Sequence, residues 1–97
     1  MHLKMDPRVT AQFALYDAQD PDLADAFDEI FDLLERDDPA DPGHWRLRNK
    51  LIRPANAFVV TVRVRGRDQA YYLFWQPQDM QETAVVRFIG DGAADLS

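Results

Sequence analysis

Apolar residues recur along this chain in two periods, every three or four positions up to about residue 35 and every second position from Phe58 onward. In the first stretch, Leu23, Phe27, Ile30 and Leu34 repeat at intervals of 4, 3 and 4, with Ala26, Phe31 and Leu33 widening the stripe. Asp22, Asp25, Asp28, Glu29, Asp32 and Glu35 fall on the other side. The spacing predicts an amphipathic helix with one acidic face. It opens at Asp20-Pro21, an N-cap residue followed by proline at the first helical position, where the missing N–H costs nothing. The same signal stands at Asp6-Pro7, and Val9, Phe13 and Tyr16 predict a shorter helix from Pro7 to about Ala18. A link of only a few residues makes the two an antiparallel helical hairpin.

Arg36 to Gly43 (RDDPADPG) ends the second helix in a loop. From Trp45 to Leu51, the residues Trp45, Leu47, Asn49 and Leu51 alternate with Arg46, Arg48 and Lys50, which predicts a strand broken at Arg53-Pro54-Ala55-Asn56. Phe58 to Arg65 alternates more clearly. Gln69 to Gln76 (QAYYLFWQ) is rich in aromatic strand formers and reads as stopped by Pro77. Ala84 to Ile89 forms the last strand, before Gly90-Asp91-Gly92 and a frayed tail. Placing Gly66 and Arg67 at the centre of a turn sets Val64 opposite Gln69, Val62 opposite Tyr71, Val60 opposite Leu73 and Phe58 opposite Trp75. The expected fold is therefore α+β, one domain over residues 1–97, with an N-terminal helical hairpin packed on a three- or four-stranded antiparallel sheet. Its core should hold Phe13, Leu23, Phe27, Ile30, Leu34, Val60, Val62, Leu73, Trp75, Val86 and Phe88.

Composition narrows the setting. Ninety-seven residues support one core, and with 46% apolar and 29% charged residues the chain reads as a folded globular protein. The absence of cysteine excludes disulfides and thiolate metal sites and points to a reducing compartment. No long apolar segment opens the chain or could span a bilayer, so the expected location is the cytoplasm, away from membranes. The net charge of −6 is unevenly spread. Residues 1–42 carry three bases against twelve acids, a net −9, whereas residues 43–97 carry eight against five, a net +3. Between His44 and Arg67 stand seven bases and no acid. The two parts would meet partners of opposite charge.

The register places Arg63 beside Ala70, Thr61 beside Tyr72 and Val59 beside Phe74 on the side of the sheet away from the core, with Arg87 joining them from the last strand. Arginines interleaved with aromatic rings suit a nucleic acid, since guanidinium groups contact phosphates and rings stack on unpaired bases. The plainer alternative is a solvated amphipathic sheet. Other motifs are weaker. Asp37-Asp38-Pro39-Ala40-Asp41 matches the DDxxD pattern of magnesium sites but is interrupted by proline and lacks a helix to aim its carboxylates. The only serine is Ser97 and the only histidines are His2 and His44, so a Ser-His-Asp arrangement is excluded, although His44 beside Trp45 is a conceivable acid or base. Neither a cofactor nor a metal is expected.

The order of elements, together with DLLERDDPADP, WRLRNKL, FVVTVRVRGRDQAYYLFWQP and VVRFIGDG, resembles the RelE/ParE superfamily of toxins from bacterial type II toxin–antitoxin systems, from about Val9 to Asp91. The resemblance implies a RelE/ParE-like toxin that acts on ribosome-associated mRNA or on DNA gyrase and is neutralised through protein–protein interaction with a cognate antitoxin. It carries RNA binding or antitoxin binding onto Arg63, Arg65 and Arg87 of the sheet, to which the charge pattern adds Arg46, Arg48 and Tyr72. The ribosome-dependent endoribonucleases of that family often place a tyrosine or histidine near the last strand. After Arg87 this chain has neither, so no catalytic residue is assigned. Such toxins also usually open with a full strand, where this chain has only His2 to Met5 before its first helix cap. Two other functions use the same sequence differently: a non-catalytic binding module, and an acidic inhibitor that mimics nucleic acid through Asp22 to Glu35.

Overall fold

Both Asp-Pro steps open helices, α1 (Pro7–Gln19) and α2 (Pro21–Arg36), in a computed structural model that describes residues 1–53, 56–80 and 82–91. Neither aspartate caps with its side chain. Their backbone carbonyls accept the first helical N–H bonds, from Val9 and Thr10 at Asp6 and from Leu23 and Ala24 at Asp20. The carboxylates are thereby available for ion pairs across the fold. α2 ends at Asp37, whose left-handed backbone (φ 45°) lets its N–H reach the Leu33 carbonyl.

The sheet corrects the expected architecture in two respects. Four residues ahead of α1 form a strand, β1 (His2–Met5), and the sheet has five strands, with β2 (Leu51–Ile52), β3 (Ala57–Arg63), β4 (Ala70–Gln78) and β5 (Thr83–Gly90) in the order β1-β5-β4-β3-β2. β1 runs parallel to β5 and the other pairs are antiparallel, so the sheet is mixed. Leu3 and Met5 of β1 pack against the core while His2 and Lys4 are exposed, the alternation required of an edge strand with one covered face.

The β3–β4 register is the expected one, with Phe58 opposite Trp75, Val60 opposite Leu73 and Val62 opposite Tyr71. Leu23, Phe27, Ile30, Leu34, Val60, Val62, Leu73, Trp75 and Val86 are buried together, and Phe13 packs against them half-buried. Phe88 departs from expectation. A bulge sets Phe74 opposite Phe88 but Trp75 opposite Val86, leaving Arg87 as the extra residue. An extra residue reverses the alternation beyond it. Phe88 therefore turns to the outer face, its ring centroid 4.9 Å from that of Phe74, and Ile89 fills the core position.

Two local readings are also corrected. β4 continues through Pro77, which pairs with Ala84. Pairing with β3 has ended at Trp75, so the missing N–H interrupts no ladder on that side. The segment expected as a strand from Trp45 to Leu51 is a 3-10 helix over His44–Arg48, followed by the two-residue β2. A strand there would have to cover Trp45 and Leu51, which remain 66% and 40% exposed. The 3-10 turn instead buries Leu47 completely, and its carbonyl accepts the buried indole N–H of Trp75 at 2.8 Å.

Candidate nucleic-acid interface

Because β2 is so short, most of the outer edge of β3 is flanked by the 3-10 turn. Lys50 closes the junction by accepting the Val59 N–H through its carbonyl at 2.8 Å. Val59, Thr61 and Arg63 alternate with the core residues Val60 and Val62, so they point to the face opposite the helices. Together with Trp45, Arg46, Asn49 and Lys50 they line a groove of about 340 Å³.

Three cations and no carboxylate line this groove, in a chain with seventeen acids and eleven bases. Its arginines are held by carbonyls. Arg46 donates to the Thr61 carbonyl at 3.0 Å and Arg63 to the Asp68 carbonyl at 2.9 Å. Among the described residues, neither these arginines nor Lys50 forms a salt bridge. A neutral carbonyl fixes a guanidinium without cancelling its charge. Acids of α2 and its loop stand at neighbouring hollows, Asp22, Asp25 and Glu29 at one bordered by Arg63, and Glu29, Asp32 and Asp41 at one bordered by Arg46.

The remaining candidate residues are dispersed. Arg48 donates to the Asp37 carboxylate at 3.1 Å, and its guanidinium carbon lies 5.2 Å from the centroid of the Trp75 ring. The His44 Nε2 is 2.9 Å from the same carboxylate oxygen. Burial pushes the Asp37 carboxyl up, but the hydrogen bonds from His44 and Arg48 outweigh it and hold the group below its ordinary range. His44 is thus directed toward Asp37 and joins the loop to the 3-10 turn. Arg65 lies with Arg63 and Val64 at a wider hollow facing Asp22, Asp25 and Glu29 of α2. Arg87 donates to Asp6 and to Gln76, both at 2.8 Å. Tyr72 is half-buried on the outer face between Thr61 and Gly90.

The structure brings together Arg46 and Arg63 and adds Trp45 and Lys50, which the sheet-face reading had not placed with them. The available sequence signal was an aromatic residue within a basic run. In the DDxxD segment, Asp38 accepts the Ala40 N–H, Asp41 accepts the Gly43 N–H and pairs with Arg36, and Asp37 holds His44 and Arg48. These carboxylates organise their own loop. On the exposed face of α2, burial and then crowding by Asp32, Asp25 and Asp17 push the Asp28 carboxyl up. Among the described residues, no helix is long and apolar enough to cross a membrane. Comparison with family models, with curated proteins and with solved structures returns no match.

Proposed function

We propose that this chain is the toxin-like component of a bacterial type II toxin–antitoxin pair, acting in the cytoplasm on ribosome-associated mRNA or on DNA gyrase and neutralised by a cognate antitoxin. The observation that carries this reading is the acid-free cationic groove on the outer sheet face. Its own lining holds no carboxylate, although Arg63 and Arg46 also border hollows that acids of α2 line, and it offers a polyanionic target a defined site. β1 lends further support, since it occupies the place where the RelE/ParE toxins that the sequence resembles open with a strand. No catalytic residue is assigned.

Controlled expression in a bacterial host tests the reading. Induction should arrest growth, with loss of amino-acid incorporation if the target is the ribosome or loss of plasmid supercoiling if it is gyrase. Normal growth with folded protein accumulating would reject it. The row of acids on the exposed face of α2, where burial and then crowding by Asp32, Asp25 and Asp17 raise Asp28, favours one second reading, a nucleic-acid mimic acting through α2. Reversing the charge of Asp25, Asp28 and Asp32 would abolish that activity and leave a groove-based one intact.

A further inference from the structure

Trp45 is 66% exposed and lines the groove together with Arg46, Lys50 and Arg63. An indole left in water is unfavourable for the isolated fold, and Trp45 supports no core, because Leu47 is the buried residue of the same turn. Arg46, Lys50 and Arg63 around it lack carboxylate partners among the described residues. Asn49 adds an amide that can both donate and accept, and Thr61 adds a hydroxyl. At about 340 Å³ the groove lies at the small end of the ligand-pocket range.

We infer that this groove is a single-stranded nucleic-acid site in which Trp45 stacks on one unpaired base while Arg46, Lys50 and Arg63 hold the flanking phosphates. The inference rests on the proposed function for its biological setting and deepens it by naming the form of the target. A paired base cannot present its face to an indole, whereas an unpaired one can, and the stacking tolerates any base. The phosphate contacts supply salt-dependent affinity without reading sequence. Tyr72 and Phe74, half-buried in the middle of the sheet, contribute surface to the face without forming the stacking platform. RNA and DNA share the chemistry used here, so the test separates them.

The test is fluorescence anisotropy of the purified full chain with a labelled single-stranded RNA decamer, the matching DNA decamer, the duplex of that sequence, and inorganic polyphosphate as competitor. The single strands should bind at least tenfold more tightly than the duplex and quench the emission of exposed Trp45, while buried Trp75 remains unaffected. Tighter binding of the RNA would assign the site to RNA, and tighter binding of the DNA would assign it to DNA. Trp45→Ala should weaken single-strand binding by about 5- to 150-fold. Arg46→Ala and Lys50→Ala should each lower the slope of log affinity against log salt by about 0.7. Equal binding by Trp45→Ala and parent, or equal binding of duplex and single strand, would overturn the inference. Circular dichroism confirms folding, and the conservative Trp45→Phe, which retains a stacking ring, should recover most of the affinity. Growth arrest without single-strand binding would reject this inference alone, and binding without growth arrest would reject the toxin reading alone.

Discussion

Arg67, in the turn after β3, grips Asp20 at the start of α2 with both terminal guanidinium nitrogens, at 2.7 and 2.8 Å, across 47 positions of sequence. The contact ties the far end of the β3–β4 hairpin to the α1–α2 junction, and Arg67 also reaches the Tyr71 hydroxyl at 3.3 Å. The hydrogen bonds from Arg67 hold the Asp20 carboxyl below its ordinary range, and Asp20 in turn raises Arg67. A depressed carboxyl stabilises the fold above its unfolded pKa, about 3.9 for aspartate, and that contribution is lost as pH falls through the folded value. Asp20→Asn should therefore melt below the parent at pH 7, and the difference should close below about pH 4. The check is Tm against pH for parent, Asp20→Asn and Arg67→Ala. A difference that persists unchanged into acid would contradict the assignment.

The bulge at Arg87 makes Ile89 the core residue and places Phe88 outside. Ile89→Ala should cost about 2–5 kcal/mol in urea unfolding. Phe88→Ala should cost less, because Phe88 is half-buried and the ring it loses is that of Phe74 on the outer face. The reverse order would mean that β5 keeps an unbroken alternation.

Arg46 and Arg48 are two residues apart and perform different work. Arg48→Ala removes the cation over Trp75 and one partner of Asp37, and should cost about 1–2 kcal/mol of stability without weakening nucleic-acid binding. Arg46→Ala should show the opposite pattern. Chemical denaturation and the anisotropy assay measure the two effects separately.

These contrasts show where local pattern carried the structure. α1, α2 and the β3–β4 register were legible because a 13- to 16-residue periodicity or a glycine turn determines them locally. β1 was not legible as a sheet strand, since four residues carry only two inward positions and its partner β5 lies some 80 positions away. The 3-10 turn was misread because HWRLRNKL alternates as a strand does, and burial of Leu47 beneath the Trp75 indole decided the outcome. The bulge left no local mark. For the site, the run of bases identified the right region, but the sequence could not separate Arg46 and Arg63 from Arg48 within the run or from Arg87 on the last strand. Those two are engaged by Asp37 and Asp6, carboxylates brought in by the fold from positions 11 and 81 residues away.

The central claim is that the groove beside β3, and not the acidic face of α2, is the working surface. Growth after induction in a bacterial host tests it most directly, comparing the parent, Arg46→Ala/Arg63→Ala, and Asp25→Ala/Asp28→Ala/Asp32→Ala, each accumulating as folded protein. The account predicts arrest by the parent and the aspartate variant, and growth with the arginine variant. Arrest by the arginine variant together with growth of the aspartate variant would contradict it.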